Sequence, residues 1–310
     1  MNKRFVSIFS GLGLLCAACI WGFAFVIVKD SLDCVPAIYM LAFRFTIASL
    51  ALALVYAKRL FAFNFSYLKY GAVLGLYLFL AYSFQTVGCV YTTAGKNAFL
   101  TAIYVILVPL LGWPLKKRRP ERHVFIAALT ALAGIGMLVL KGKGGALKVN
   151  IGDVLTLICG IFYAVHILFT AHYDQNRDPV LLTVFQFVFA AIFSWVAAPF
   201  IDGPFPGGAL EDSKIVFSML YLGIFSTMVA FVLQNVCLKY LQSSLAALFL
   251  STEAVFGVFF SVVFLGEKMT AHMIIGCTLM FSAIVFAQTK FDFMPRRKSA
   301  GQVTINDKIF

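Results

Sequence analysis

A carboxylic acid and a guanidinium stand inside long apolar runs of this sequence, Glu253 and Arg44. A carboxyl in such a place can hold a substrate ammonium group or a proton, and a guanidinium can pair with a substrate carboxylate through its planar fork. Each also has a structural reading. Glu253, on one helical face with Ala246, Leu250 and Gly257, could be hydrogen-bonded to a neighbouring helix. Arg44, between Phe43 and Phe45, could pair with Asp30, Asp33 or a helix end, or extend its stem towards the membrane surface.

Uncharged polar residues recur at helical spacing. Asn97, Thr101 and Tyr104 fall at i, i+4 and i+7, and Thr156, Cys159, Tyr163, His166 and Thr170 form a second stripe. Two stripes facing inwards suggest one shared cavity. His166 could titrate during a reaction cycle or serve as a hydrogen-bonded packing residue. Gln85 and Gln234 can bind a polar substrate without a buried charge, or can join helices by amide hydrogen bonds. Trp21 offers an aromatic wall or a structural anchor. The candidate binding set is thus Trp21, Arg44, Gln85, Asn97, Thr101, Tyr104, Tyr163, His166, Gln234 and Glu253, with no catalytic residue, metal ligand or cofactor expected.

The elements that carry these residues are long and apolar. With 62% hydrophobic and 12% charged residues, the chain departs from a soluble globule, whose shares are about half and about a quarter. About 20 apolar residues in a helix cross a hydrocarbon core of about 30 Å. Runs of that kind fall at 7–28, 37–57, 68–91, 96–115, 122–140, 151–171, 180–200, 215–238, 244–265 and 271–289. They are continuous rather than alternating, which excludes a β-barrel. The expected fold is an all-α membrane protein with ten transmembrane helices, and no remaining stretch could form an independent soluble domain.

The net charge of +12 invites a nucleic-acid reading, but the positions of the charges indicate orientation instead. If the N-terminus is cytoplasmic, most of the 25 Lys and Arg residues fall on that side, including Lys116 to Arg119 and Arg296 to Lys298. Lys29, Lys96, Lys141, Lys143, Lys148, Lys214 and Lys268 fall on the other. A multi-pass protein of the cell membrane with both termini cytoplasmic is expected. The first apolar run is too long for a signal peptide, and Cys16 and Cys19 read as small packing residues within it. The remaining cysteines are scattered and give no disulfide framework.

Weak echoes recur in a common order. Phe43-Arg44-Phe45 is matched by Phe185-Gln186-Phe187, with Pro36 and Pro179 opening the two helices. Phe84-Gln85-Thr86-Val87 is matched by Leu233-Gln234-Asn235-Val236, and Tyr91 by Tyr240. A shift of five spans turns the second copy over in the bilayer, the plan of many secondary transporters. The Gly/Lys-rich stretch 141–148 divides the copies, giving a first repeat at 1–143, an inverted second at 144–290 and a short basic cytoplasmic tail at 291–310.

Trp21-Gly22-Phe23-Ala24-Phe25 with Lys29, the aromatic-flanked Arg44, Ala98-Phe99-Leu100 to Pro109, and Leu265-Gly266-Glu267 together resemble the drug/metabolite transporter superfamily, EamA type. The resemblance spans residues 10–290. It implies a ten-helix exporter or importer of small metabolites with a central cavity between two five-helix halves. The expected function is transport of a small metabolite, such as an amino acid, or of a drug-like molecule by alternating access, with export as the expected direction. The chain has Glu253-Ala254 where relatives often have Glu-Pro, and Trp113-Pro114 with a basic run where the first half could repeat Leu-Gly-Glu. The expected partners are a small-molecule substrate and the lipid bilayer, with no nucleic acid, and the expected state is a monomer or homodimer.

Other classes find little support. Gly95-Lys96-Asn97 resembles part of a phosphate loop, but Val90 stands where its first Gly belongs and Asn97 replaces Ser/Thr. A channel-like facilitator is the alternative, although no re-entrant filter or charge ring is evident. An intramembrane enzyme would need a nucleophile and base at matched depth, and only isolated Ser and His residues are present.

Overall fold

Backbone groups in hydrocarbon have no water to bond, so each segment must satisfy its own N–H and C=O groups. The computed structural model describes residues 3–60, 64–116, 122–143, 146–173, 177–238 and 249–288, and they are overwhelmingly helical. In chain order the helices are α1 (Lys3–Ser31), α2 (Ala37–Val55), the single turn α3 (Ala57–Leu60), α4 (Phe65–Tyr91), α5 (Ala94–Thr101), α6 (Tyr104–Lys116) and α7 (Arg122–Val139). A short antiparallel hairpin of β1 (Leu140–Lys143) and β2 (Ala146–Val149) follows, with Leu140 opposite Val149, in the stretch expected to divide the copies. Then come α8 (Ile151–Tyr173), α9 (Pro179–Ile201), a 3₁₀ turn at Gly207–Leu210, α10 (Ser213–Leu220), a π-helical segment at Tyr221–Val229, α11 (Ala230–Leu238), α12 (Glu253–Leu265) and α13 (Ala271–Gln288).

Among the described residues, seven stretches are long and apolar enough to cross a membrane: Ile8–Ser31, Ala37–Val55, Phe65–Tyr91, Ala94–Trp113, Ile151–Thr170, Pro179–Ile201 and Ser213–Gln234. Three further apolar helices, Phe125–Met137, Phe249–Leu265 and Ala271–Phe286, are shorter. They fall within the segments expected at 122–140, 244–265 and 271–289. The start of the ninth segment, with Ala246, lies outside the described residues, as do Gly144, Gly145, Tyr240, the basic residues 117–119 and the tail.

Helices of the first half pack chiefly on helices of the second: α4 on α8 and α9, α2 on α9, α1 on α12, and α7 on α13. Small residues permit the closest approach. A Cβ built on Gly152 of α8 would lie 2.5 Å from the Gly88 carbonyl oxygen of α4, so the two backbones touch with no room for a side chain. Echoed residues also meet: Phe45 stacks on Phe187, with ring centroids 6.1 Å apart.

Several helix ends are closed from a distance. Pro36 at the start of α2 makes no side-chain cap, and Asp202 after α9 accepts instead from the N–H groups of Ile38 (2.7 Å) and Tyr39 (3.2 Å). Gly266, at φ 63° in the left-handed region, ends α12 and turns the chain so that Glu267 accepts from the N–H groups of Ala94 (2.7 Å) and Gly95 (3.1 Å), capping α5. Lys29 donates to the carbonyls of Cys89 (2.7 Å) and Thr92 (2.9 Å) at the end of α4, where a cation suits the helix dipole. The Lys29 and Leu265-Gly266-Glu267 features of the sequence are thus helix caps, the first within one half and the second between the halves.

Candidate functional site

A cavity of about 250 Å³ lies between the helices, and all ten residues of the candidate set line it. Both halves contribute: Trp21, Arg44, Gln85, Asn97, Thr101 and Tyr104 come from the first, and Tyr163, His166, Gln234 and Glu253 from the second.

The spans that carry Tyr104 and Glu253 are both interrupted. The segment expected to be continuous over 96–115 breaks into α5 and α6, with a turn at Ala102 and Ile103. The Phe249–Leu265 stretch turns at Thr252, so that Glu253 opens α12 in its first turn, where the helix dipole favours a carboxylate. These are the fourth spans of the two expected repeats, and interrupted helices in corresponding positions point to a binding site because they present unpaired ends to a cavity. Tyr104 Oη donates to Glu253 Oε1 at 3.1 Å across a separation of 149 residues, the same offset that relates Gln85 to Gln234.

Gln85 is fully engaged within the wall. Its amide nitrogen donates to Thr101 Oγ1 (3.2 Å) and its carbonyl accepts from Tyr163 Oη (3.2 Å). His166 is 5% exposed and lies 2.9 Å from Gln186 Oε1. Trp21 donates to the Ser226 carbonyl at 2.7 Å and meets Phe231 edge-on. Asn97, wholly buried, donates to the main-chain carbonyl of Gln85 (3.0 Å) and to Thr156 Oγ1 (2.8 Å), while its own Oδ1 has no hydrogen-bond partner.

Arg44 does not follow either structural reading. It is 3% exposed, and among the described residues no carboxylate pairs with it; Asp30 pairs instead with Lys214 at 2.7 Å. Its Nε donates to Thr227 Oγ1 (2.6 Å), and its Nη2 to Ser226 Oγ (2.7 Å) and Tyr82 Oη (3.3 Å). The guanidinium also lies over the Tyr82 ring, 4.4 Å from the centroid. A buried cation met only by hydroxyls and a π face keeps much of its charge available to the cavity.

At the end of the cavity near Cys89 and Asn97 the walls close. Lys96, expected on the outer side, and Asp153 form a buried ion pair that Thr92 Oγ1 extends at 2.5 Å. Each charge offsets the burial of the other, and the separation of 57 residues hides the pair from a local reading. Asn150 donates to the Tyr91 carbonyl at 2.8 Å, and the Gly88–Gly152 contact lies alongside. Towards Thr170, Phe231 and Gln234 the lining is half-buried. Sequence reasoning missed Tyr82, Gln186, Ser226 and Thr227 as cavity or cradle residues. Gln186 was legible as the echo of Arg44, and Ser226-Thr227 as a polar pair inside an apolar span.

A bundle of apolar helices long enough to span a membrane, enclosing a polar cavity built by both of its halves, defines a multi-pass membrane transport protein. The EamA-like transporter family model matches residues 9–140 and again 150–289, and the chain belongs to that family. Among its relatives, an uncharacterized transporter of Archaeoglobus fulgidus is 34% identical over 283 residues, covering 91% of this chain and 87% of the relative. The uncharacterized transporter YoaV of Bacillus subtilis is 23% identical, covering 92% and 98%. A solved crystal structure superposes with a TM-score of 0.63 at 19% identity, covering 90% of this chain and 96% of its own, a likeness of fold.

Proposed function

We propose that this transporter is a ten-span secondary carrier of two inverted five-helix halves, 1–143 and 144–290, with the basic tail 291–310 and both termini in the cytoplasm of a cell-membrane protein. It exports a small polar metabolite by alternating access through the cavity lined by Glu253, Arg44 and Asn97. The observation that carries this reading is one polar cavity shared by both halves, tightly packed at one end and lined by half-buried residues towards the other. On this reading, with the N-terminus inside, the closed end is the outer one and the arrangement corresponds to an inward-facing state. The Lys96–Asp153 pair and the Gly88–Gly152 contact are then the outer gate. A closed end favours a carrier over a channel-like facilitator, whose pore must be continuous when it conducts.

The test is efflux from proteoliposomes loaded with a defined pool of amino acids, organic acids, nucleosides and sugars, with the released compounds identified by mass spectrometry. Time-dependent, protein-dependent release of a subset is expected. Release of every compound in proportion to its size would indicate a pore, and release of none would remove the transport reading.

A further inference from the structure

We propose, building on that transport reading, that the substrate carries one carboxylate and that Arg44 is the residue that recognises it. A guanidinium has five N–H donors and no acceptor. Nε and Nη2 of Arg44 are committed to Thr227, Ser226 and Tyr82, whereas Nη1 has no hydrogen-bond partner among the described residues, on a side chain that lines the cavity. Every group that holds Arg44 is neutral. A cation this deeply buried calls for an anion, and no protein carboxylate pairs with it among the described residues. The substrate is the remaining source.

The backbone supports the same conclusion. In a regular α-helix the consecutive residues Ser226 and Thr227 would point about 100° apart. Here they lie in the π-helical segment Tyr221–Val229, and Thr227 Oγ1 donates to the Leu222 carbonyl five residues back at 2.8 Å. The widened turn lets both hydroxyls reach the same guanidinium, and Trp21 holds the Ser226 carbonyl. Such π turns are unusual and concentrate at functional sites. Gly223 belongs to the same device: a Cβ there would lie 2.6 Å from Ile47 Cβ, so its absence lets the segment press against the helix that carries Arg44. A guanidinium fixed by a helix distortion, two hydroxyls and a tyrosine ring is pre-organised for a planar, bidentate anion.

The rest of the lining narrows the class. Among the described residues Arg44 is the only Lys or Arg in the lining and Glu253 the only Asp or Glu, a balance that suits one negative charge and disfavours a phosphate dianion. Asn97 Oδ1, buried and unpartnered, and the Glu253 carboxyl are acceptors, and they call for a hydrogen-bond donor elsewhere on the substrate. The class is therefore a small monocarboxylate with a donor group.

The experiment uses the full-length protein, purified for thermal unfolding and reconstituted for efflux, with matched acid–amide pairs: lactate and lactamide, mandelate and mandelamide, phenylalanine and phenylalaninamide. At least one acid is expected to raise the unfolding temperature with concentration while its amide does not. Arg44→Gln should abolish that rise, and Arg44→Lys should weaken it because an ammonium lacks the fork. Should Arg44→Gln fail to fold, the Ser226→Ala/Thr227→Val variant keeps the charge and removes its cradle, and the Kd of the acid should rise about tenfold. Amides that stabilise as well as acids, no effect from any acid, or an undiminished effect in Arg44→Gln or in the cradle variant would each overturn the proposal. Vesicles that release amides as fast as acids would also overturn it while leaving the transport reading intact. Vesicles that release nothing remove the transport reading, and the thermal measurement then decides the carboxylate site by itself.

Discussion

The carboxyl of Glu253 meets the phenol of Tyr104 at the junction of two interrupted helices, one from each half. Replacing it with Gln keeps its size and an acceptor for Tyr104 while removing the ionisable group. Glu253→Gln is expected to lower efflux at least about tenfold with near-normal expression; unchanged efflux from vesicles would make the carboxyl a structural hydrogen-bond acceptor. The Lys96–Asp153 pair makes a different prediction, because its members are buried against each other rather than towards the cavity. Asp153→Asn leaves Lys96 without its counter-ion and is expected to destabilise the fold by about 3–5 kcal/mol. The double replacement Lys96→Met/Asp153→Leu should recover most of that loss. Thermal unfolding of the two single variants and the double variant gives the coupling, and additive effects would show that the two side chains do not pair.

At the scale of elements, three departures from regular helix surround the cavity: the α5–α6 turn, the turn at Thr252 and the π segment. Each gives up continuous backbone bonding, which the bilayer tolerates only where protein or a polar cavity supplies partners. The tightest contact is the α4–α8 crossing at Gly88 and Gly152. Gly152→Ala forces a methyl against the Gly88 carbonyl, so it should spread the closed end. Cys89 lines the cavity beside this contact and is 1% exposed. In a variant that keeps Cys89 as its sole cysteine, Gly152→Ala should raise labelling by a membrane-impermeant thiol reagent added outside severalfold. Equal labelling with and without the substitution would show that this crossing does not close the outer path.

Over the whole molecule, the positive-inside rule predicts that reporters placed after Lys298 and at Arg118 are both cytoplasmic. A reporter read on the far side at either position would overturn the ten-span arrangement. The sequence by itself determined the membrane as solvent, the helical character of the chain and the set of polar residues at interior positions, because lipid forces polar groups in spans to stand out against an apolar background. It also determined the order of the repeat, since Pro36 and Pro179, Arg44 and Gln186, and Gln85 and Gln234 hold the same places in the two halves. Only the tertiary structure decided what each polar group touches. It set Arg44 against Thr227, Ser226 and Tyr82 rather than Asp30, one of several partners the sequence left open, buried Lys96 on Asp153, and assigned Glu267 to the amides of α5. The reason is distance along the chain: helical periodicity reports neighbours within two turns, whereas these partners lie 38 to 183 residues apart, and all but Tyr82 meet Arg44, Lys96 or α5 only when the two halves pack.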